Sequence, residues 1–353
     1  MLMELEVKEL LQGDILDTFV KQSPTSNFMQ SWNWSKYQQE GLGRKTFRLG
    51  FYNGEQLVAI AICYEVSQTF GKYLYCSRGP ILKELDPNLY TQVLNSLKKH
   101  FEGKEYVFLK IDPSIEEKNE ISQIPLSLGF KKCINYVQPE TPWFTDLKGN
   151  TEEELLDWCK ENDMGKNYPT YIRKARRSGV TVRFSKELPD WKLFTHYLHN
   201  SADVKDFVIN GADYYLKQLR YLGENGEIRL AIAEYEREPV AMLILSFYGN
   251  EVSCLYSCQT GMQKKIRGAM LLRWECMLQA QREGFEKFNS WEVLPDEKYV
   301  PSNPRYGYSN FKRGFGGYIV KYQRTMDYAY DRRKYFLVRL LDMYRKIRYY
   351  RGR

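Results

Sequence analysis

The strongest constraint on the fold is an internal repeat, in which similar segments recur half a chain length apart. Each copy reads as a β-hairpin, a strand, a helix, another strand and a short closing strand. Four pairs of equivalent positions keep nearly the same separation: Phe47 and Ile228, Lys72 and Glu251, Glu105 and Lys287, and Gly129 and Gly314. A separation that stays this constant over several elements indicates two copies of one fold.

The elements of the repeat predict an α/β fold with mixed sheets. In the first copy, Asn53-Gly54 is a typical hairpin turn, and we predict strands at 47–52, 56–66, 72–77, 105–111 and 131–137 with a helix at 88–101. The second copy has the same layout, with strands at 228–235, 239–248, 251–257, 287–293 and 318–322 and a helix at 266–283. Four helices precede it, at 151–161 with Asn150 as N-cap, 169–179, 191–201 and 212–221.

Composition and residue counts exclude several classes of protein. Aromatic residues make up 15% of the chain, which is too many for a disordered protein. No apolar run approaches the roughly 18 residues of a membrane span. The N-terminus has neither the basic n-region nor the apolar h-region of a signal peptide. The seven cysteines form no C-x-x-C pair, and only three histidines are present. We therefore expect a cytoplasmic protein with reduced, buried thiols, no metal site and no bound cofactor.

The positive charge is concentrated in residues 331–353. This segment carries nine Lys or Arg and two Asp, a net charge of +7 against +8 for the whole chain. Between the charged residues, five apolar residues recur at the spacing of one face of a helix: Leu337, Leu340, Leu341, Tyr344 and Ile347. A basic amphipathic helix binds phosphates, either of a nucleic-acid backbone or of anionic lipid headgroups. Alternatively, the apolar stripe docks the helix on the rest of the protein.

The order of elements resembles the GNAT acyltransferase fold in tandem. In that fold, a glycine-rich loop at a helix N-terminus holds the pyrophosphate of coenzyme A. The equivalent stretch of the second copy, Gln263-Lys-Lys-Ile-Arg-Gly-Ala269, keeps its basic residues but lacks the first glycine, and residues 84–88 of the first copy have no such loop. We expect a donor other than acyl-CoA.

Particular motifs resemble the FemXAB peptidoglycan-bridge aminoacyltransferases, in chain order over residues 25–325. They are Phe28-Met-Gln-Ser-Trp-Asn-Trp34, Ser77-Arg-Gly-Pro80, Ile111-Asp-Pro113, Trp143-Phe-Thr-Asp-Leu147 with Glu152-Glu-Glu-Leu155, Tyr171-Ile-Arg-Lys-Ala-Arg-Arg-Ser-Gly-Val180, Gly307-Tyr-Ser-Asn-Phe-Lys312 and Arg313-Gly-Phe-Gly316. The resemblance implies a GNAT-like domain 1 (1–148 with 322–353, including the basic helix) and a GNAT-like domain 2 (149–321). It also implies transfer of an amino acid from aminoacyl-tRNA to an amine of a peptidoglycan precursor's stem peptide, in interpeptide bridge formation.

The chain departs from the family pattern in two places. The helix near Trp191 and the strand at Ile228 are too close in sequence to leave room for the coiled-coil hairpin of many members. The chain therefore resembles the short members, and the expected acceptor is soluble UDP-muramoyl-pentapeptide or lipid-linked lipid II. At Asn210 the short members place an arginine beside the acceptor diphosphate. We expect a monomer that is cytoplasmic or peripheral on the inner face of the plasma membrane.

Aminolysis of an activated ester needs alignment and oxyanion stabilisation rather than a protein nucleophile. By resemblance, Lys312 lies near the tRNA acceptor end, where a cation neutralises terminal phosphates or the developing oxyanion. Asp112 ends a strand, and we expect it to accept a proton from the attacking ammonium or a hydrogen bond from a sugar, or else to cap a turn. Lys312 and Asp112 are the candidate catalytic residues.

The resemblance also implies an acceptor-binding set: Lys36, Trp34, Tyr37, Asn210, Tyr214, Tyr256 and Arg78. Lys36 corresponds to a lysine that contacts the precursor diphosphate, with a surface lysine as the alternative. Core packing is the alternative role for Trp34, Tyr214 and Tyr256, and a structural turn is the alternative for Arg78. For contact with tRNA or the membrane we expect Arg313, Lys334, Arg339, Arg345, Lys346 and Arg348.

Two other functions stay open. One is a different tRNA-dependent or GNAT-type transferase acting on a protein, a lipid or a small amine. The other is an inactive tandem fold that serves as a binding scaffold. Retention of Lys36, Asp112 and Lys312 favours an active enzyme, and the departure at Asn210 keeps another acceptor possible.

Overall fold

The computed structural model describes residues 5–205, 209–260 and 266–351. The chain forms two compact units, which we call the first unit (Met1–Glu140 with Lys321–Arg353) and the second unit (Thr141–Val320). Each unit is built on one mixed β-sheet. The expected α/β fold with two tandem mixed-sheet units is therefore confirmed.

The first stretch of chain supplies most of the first unit. Its elements are β1 (Glu6–Glu9), α1 (Gly13–Gln22), α2 (Trp32–Lys36), β2 (Thr46–Asn53), β3 (Gln56–Gln68), β4 (Gly71–Cys76), β5 (Ile81–Leu82), α3 (Pro87–Phe101), β6 (Tyr106–Ile111), α4 (Ile124–Ser127) and β7 (Lys131–Lys132).

The second unit follows, and the chain then returns to the first. The second unit contains β8 (Pro142–Asp146), α5 (Glu152–Glu161), α6 (Tyr168–Arg177), β9 (Thr181–Ser185), α7 (Leu188–Lys205), α8 (Ala212–Gln218), β10 (Ile228–Tyr235), β11 (Glu238–Tyr248), β12 (Glu251–Gln259), α9 (Gly268–Arg282), β13 (Lys287–Glu292), α10 (Tyr306–Arg313) and β14 (Tyr318–Ile319). The return adds β15 (Met326–Ala329) and α11 (Arg332–Arg351).

The two sheets share one strand order. The first is β1-β2-β3-β4-β6-β15-β7, with β5 beside β3, and the second is β9-β10-β11-β12-β13-β8-β14. Among the strands that the structure describes, one neighbouring pair per sheet is parallel, β4 with β6 and β12 with β13. The repeat in the sequence is thus a repeat of sheet topology.

The sixth strand of each sheet comes from the other copy of the repeat. β8 follows β7 in the chain but pairs with β13 and β14 in the second sheet. β15 follows β14 but pairs with β6 and β7 in the first sheet. The boundary inferred from the sequence, after residue 148, differs from this arrangement because residues 142–146 hydrogen-bond to strands of the second sheet.

The main helix of each unit packs on its sheet, α3 through apolar residues at helical spacing and α9 over most of its surface. Tyr90, Val93, Leu94, Leu97 and Phe101 of α3 are all completely buried. Asp86 caps α3, since its side chain accepts a hydrogen bond from the Leu89 N–H at 2.7 Å. In α9, twelve residues are buried, including Trp274 and Met277. Each sheet thus has its own hydrophobic core.

A π-helical turn precedes the β-hairpin in both units. Tyr37–Gly41 follows α2, and Leu219–Gly223 follows α8 at the equivalent place in the repeat. Such turns concentrate at functional sites, because the extra residue redirects neighbouring side chains. Of the residues predicted to bind the acceptor, Trp34, Lys36 and Tyr37 lie in α2 or at the start of the first turn, and Tyr214 lies in α8, which leads into the second.

Three local predictions need correction. The N-cap of α5 is Thr151 rather than Asn150, because the Thr151 side chain accepts from the Glu154 N–H while the Glu154 carboxylate accepts from the Thr151 N–H. The closing strands, expected at 131–137 and 318–322, are each two residues long. In the first unit, β7 pairs with Met326 and Asp327, two of the four residues of β15. All seven cysteines are buried and free.

Helix α11 packs on the outside of the first sheet. Tyr335 and Val338 form a small buried cluster with Val107 and Phe108 of β6. Arg339 donates to the Lys132 carbonyl at 3.0 Å, and Lys346 donates to the Ile134 carbonyl at 3.2 Å. Within the described ranges, no helix combines the length and the apolarity needed to cross a bilayer.

Candidate active site

Lys312 is a buried amine in the second unit. It lies near the C-terminal end of α10, and the residue is 2% exposed. Its Nζ donates to the Glu292 carbonyl at 2.9 Å and lies 4.0 Å from the centre of the Tyr308 ring. The main chain at Glu292 follows an irregularity in the pairing of β13 with β8, where Trp291 adopts a left-handed φ of 65°. This irregularity positions the carbonyl that holds the amine.

The surroundings of Lys312 disfavour its charged form. Burial lowers the pKa of the ammonium well below its usual value, and the positive charge of Arg273 lowers it further. Arg273, on α9, is 5% exposed and donates to the Ser290 hydroxyl at 2.9 Å. The Glu292 carboxylate, which favours the ammonium, is paired with Arg305. Lys312 therefore gives up its proton more readily than a surface lysine.

Arg273 and Lys312 carry no ion pair among the described residues. The Arg273 guanidinium lies instead 5.5 Å from the Phe311 ring and 5.7 Å from the Phe315 ring, and its Nε has no hydrogen-bond partner in the described part of the chain. Buried basic groups without a carboxylate partner attract negative charge. This interior is suited to a developing oxyanion. Sequence reasoning missed Arg273, although a charged residue within the apolar run Met270-Leu-Leu-Arg-Trp was a usable signal.

Asp112 lies in the first unit and has a structural set of partners. Its carboxylate accepts from the Tyr75 hydroxyl at 2.5 Å and from the Arg78 N–H at 2.7 Å. Burial raises the pKa of Asp112, and the Arg78 charge and these hydrogen bonds oppose that rise. The residue is 1% exposed. This geometry matches the turn-cap alternative, because both carboxylate oxygens already hold protein groups.

Arg78 is fixed within the same turn. Its Nη2 donates to the Pro139 carbonyl at 2.7 Å, and its guanidinium lies 5.0 Å from the Tyr322 ring. The residue is buried and has a left-handed φ of 56°. These contacts support the structural alternative for Arg78 over direct acceptor contact.

The segment Trp34 to Tyr37 combines a buried aromatic pair with a half-buried amine. The rings of Trp34 and Tyr37 are 5.3 Å apart, and both residues are buried. The Trp34 indole N–H has no hydrogen-bond partner among the described residues. Lys36, between them, is half-buried and takes part in none of the ion pairs of the described residues. Of this set, Lys36 keeps a charge available for a phosphate.

The predicted acceptor residues of the second unit meet in an aromatic cluster. The Tyr215 ring is 5.3 Å from Tyr214 and 4.9 Å from Tyr256. The Tyr256 hydroxyl accepts from the Gln218 side chain at 3.5 Å and is hydrogen-bonded to Tyr214. Burial raises the pKa of Tyr256 well above its usual value. Asn210 is exposed and hydrogen-bonds to Tyr215, so it adjoins this cluster without adding charge.

The predicted basic contact residues separate into two groups. Arg313 is held inside the second unit by an ion pair to Asp296 at 2.8 Å and a hydrogen bond to the Leu294 carbonyl at 2.6 Å. Because these contacts occupy the guanidinium, little of it is available to bind a polyanion. The others lie on α11, where Lys334, Arg345, Lys346 and Arg348 are exposed and Arg339 is half-buried.

The structure therefore brings together some predicted residues and not others. Tyr214, Tyr256 and Asn210 form one cluster in the second unit, and Trp34, Lys36 and Tyr37 form one segment in the first. Lys312 and Asp112 lie in different units. Part of the loop at residues 263–269 lies outside the described residues, and Arg267 at its end lies 4.4 Å from the Tyr171 ring.

Comparison with known proteins gives a consistent result. The model of the FemAB family matches residues 11–135, 126–238 and 224–343. The chain is 23% identical to the lipid II:glycine glycyltransferase of Staphylococcus haemolyticus over 259 residues, which is 70% of this chain and 59% of that protein. It is 25% identical to the aminoacyltransferase FemA of Staphylococcus aureus over 220 residues, 55% of this chain and 50% of that protein.

Solved structures share the fold. The crystal structure of FemX superposes with a TM-score of 0.82 at 17% identity and covers 95% of this chain and 100% of that one. In sequence, the chain spans between half and three-fifths of the curated relatives it matches.

Proposed function

The chain belongs to the FemAB family, and from this premise we propose that it is an aminoacyltransferase of peptidoglycan bridge formation. It transfers an amino acid from aminoacyl-tRNA to an amine of a peptidoglycan precursor's stem peptide, with UDP-muramoyl-pentapeptide or lipid II as acceptor. The observation that carries the proposal is the family match from residue 11 to residue 343. The similarity to two relatives, a lipid II:glycine glycyltransferase and an aminoacyltransferase, supports it.

In this proposal Lys312 moves a proton. An amine attacks an ester only when it is unprotonated, and it must lose a second proton as the amide forms. A buried lysine with a lowered pKa accepts a proton from the attacking nitrogen and returns it to the 3′-oxygen that leaves as the ester bond breaks. This role differs from the permanently charged Lys312 that the resemblance suggests.

Arg273 contributes to this scheme through its charge. Its fixed positive charge lowers the pKa of Lys312 and stabilises negative charge on the carbonyl oxygen under attack. Both groups are nearly excluded from water, so each charge acts in a medium of low dielectric constant. No step of the reaction needs a protein nucleophile.

Lys36 and the aromatic cluster of the second unit are the proposed acceptor contacts. The Lys36 ammonium pairs with a phosphate of the precursor, since charge-assisted hydrogen bonds to phosphate are strong. Tyr214 and Tyr256 contribute hydroxyl groups that are hydrogen-bonded to each other, and Asn210 supplies an exposed neutral amide beside the cluster. We propose that the protein acts in the cytoplasm as a monomer, in contact with an anionic membrane surface.

The direct test is a transfer assay with defined substrates. The protein is incubated with pooled charged tRNA and with either UDP-muramoyl-pentapeptide or lipid II, and the acceptor is analysed by mass spectrometry. We expect a mass increase of one or more amino acid residues on one acceptor. Uncharged tRNA serves as the control. No mass increase with any charged tRNA on either acceptor would refute the proposed function.

A further inference from the structure

Helix α11 has two apolar faces, and the first unit covers one of them. Tyr335 and Val338 are buried against β6. Each residue of an α-helix advances by about 100°, so Leu340 lies about 160° and Ile347 about 180° around the helix from Val338. Most of the apolar stripe identified in the sequence therefore points away from the docked face. Docking does not account for this stripe, because other residues make the contact with the sheet.

The uncovered face is the densest exposed apolar surface of the described chain. Of the 15 large hydrophobic side chains that are exposed in the described residues, six belong to α11. Their exposure runs from 42% to 61%: Phe336, Leu337, Leu340, Met343, Tyr344 and Ile347. On a protein surface a cluster of this kind marks a place that binds something.

Basic residues lie along both edges of this stripe. With about 100° per residue, one edge carries Lys334 and Arg348, and the other carries Arg332, Arg339 and Lys346. The acidic residues of the segment lie away from the stripe: Asp342 is half-buried on the docked side, and Asp331 accepts from the Lys334 N–H at the helix start. Between Phe336 and Ile347 the centre of the exposed half is thus wholly apolar, with positive charge on both flanks, and the exposed Arg333 precedes it on the same face of the helix.

This pattern distinguishes a lipid surface from nucleic acid. An interfacial helix buries its apolar face at the boundary of headgroups and acyl chains, and its Lys and Arg side chains reach the lipid phosphates from either side. A phosphate backbone gains little from an aliphatic stripe, and it needs the basic residues in the centre of the contact. Exposed leucine, isoleucine and methionine in that centre favour the lipid.

We propose that α11 is a membrane-surface helix, which lies in the interface of an anionic bilayer with Phe336, Leu340, Met343 and Ile347 directed into it. The first unit holds the opposite face, so the helix is folded before it meets lipid and loses little conformational entropy on binding. The inference deepens the membrane contact proposed above but does not depend on aminoacyl transfer.

Vesicle co-sedimentation of the full-length protein tests the proposal. The probes are vesicles of phosphatidylcholine with about one-third phosphatidylglycerol, and vesicles of phosphatidylcholine alone. We expect binding to the anionic vesicles and weak binding to the neutral ones. The double variants Leu340→Glu/Ile347→Glu and Leu340→Gln/Ile347→Gln should each reduce binding by about tenfold or more, because both remove apolar surface from the interface.

Matched controls separate the helix from general surface properties. Leu11→Glu/Leu126→Glu changes two exposed leucines of the same unit and should leave vesicle binding unchanged. Arg332→Gln/Arg348→Gln removes one charge from each edge and should weaken binding by about tenfold, whereas Lys83→Gln/Lys118→Gln, with the same net charge, should not. Thermal unfolding midpoints confirm that all variants keep the fold.

Two results would overturn the proposal. One is wild-type vesicle binding by both Leu340/Ile347 double variants. The other is that the wild-type protein does not bind anionic vesicles at low salt, while the Arg332→Gln/Arg348→Gln variant loses affinity for tRNA. Transfer to the soluble acceptor is measured in parallel, so failure of vesicle binding and failure of the proposed activity are read independently.

Discussion

At the scale of single residues, the environments of Lys312 and Asp112 could not be predicted from the sequence. Motif resemblance selected both Lys312 and Asp112, but no local pattern reveals whether a side chain is solvated. In the structure, the Lys312 amine donates to a backbone carbonyl, whereas both carboxylate oxygens of Asp112 accept hydrogen bonds that stabilise a turn. Arg273 stayed hidden for the same reason, because its proximity to Lys312 depends on how α9 and α10 pack.

Substitution of Lys312 distinguishes a proton carrier from a fixed cation. If Lys312 acts as a base, Lys312→Met and Lys312→Arg should both lower kcat by about 10²–10⁴-fold, since arginine is not deprotonated in proteins. If its charge alone matters, Lys312→Arg should retain most of the activity. Steady-state kinetics with charged tRNA and the preferred acceptor decide between the two outcomes.

The lowered pKa of Lys312 also predicts how stability depends on pH. Between the native pKa and the unfolded value near 10.5, the unfolded chain binds more protons, so raising the pH favours the folded state. Relative to Lys312→Met, the wild-type free energy of unfolding should rise by up to about 1.4 kcal/mol per pH unit in that window. Urea unfolding near pH 7 and near pH 9 measures it. Lys298→Met, at an exposed lysine of the same unit, is the control.

Lys36 is predicted to act in binding rather than chemistry. Lys36→Ala should weaken acceptor binding by about 1–3 kcal/mol, the scale of a charge-assisted hydrogen bond, with kcat nearly unchanged. The KM for the acceptor measures this, and Lys83→Ala serves as a matched control in the same unit. An unchanged KM in Lys36→Ala would show that Lys36 is a surface lysine with no part in acceptor binding.

At the scale of helices and strands, periodic elements could be predicted and their ends could not. The strand at 228–235 and the helix α3 follow clear apolar patterns and appear within a residue of their predicted bounds. The closing strands were predicted too long, because the number of residues that pair is set by non-local contacts, which a local sequence pattern does not specify. The two π-helical turns have no signature in a single sequence, since they differ from an α-helix by one hydrogen-bond register.

The corrected N-cap of α5 gives a prediction at this scale. Thr151→Ala removes the side chain that accepts from the Glu154 N–H and should lower the free energy of unfolding by about 1 kcal/mol. Thr151→Ser keeps the hydroxyl and should cost much less. Chemical denaturation measures both, and Asn150→Ala, at the position first expected to be the cap, should have a smaller effect than Thr151→Ala.

At the scale of the whole molecule, the repeat was visible, and the family resemblance implied the return of residues 322–353 to the first unit, but the pairing of β8 in the second sheet was not predicted. β8 and β15 begin at Pro142 and Met326, which keeps the spacing of the repeat. Their choice of sheet is a non-local pairing, and the short pattern of four or five residues does not specify the partner. The sequence-based domain boundary therefore differs from the structural one at β8.

The exchange predicts unequal behaviour of fragments. Residues 141–320 contain all seven strands of the second sheet and should fold alone, whereas residues 1–140 lack β15 and should not. Circular dichroism and cooperative urea unfolding test each fragment. Joining residues 321–353 to residues 1–140 through a flexible linker should restore a cooperative transition. A cooperative transition for 1–140 alone would contradict the assigned role of β15.

The same exchange sets the order in which the protein matures on the ribosome. Most chains complete their first domain before the next one emerges, but here the strand that fills the gap between β6 and β7 is translated after the whole second unit. At roughly 5–20 residues per second, the chain between Lys132 and Met326 takes roughly 10 to 40 seconds to synthesise. During that interval β15 is missing from its place between β6 and β7, so the edge of β6 is unpaired there. A chaperone, or a strand of a neighbouring nascent chain, can bind that edge. The later-made unit is thus the first to be finished.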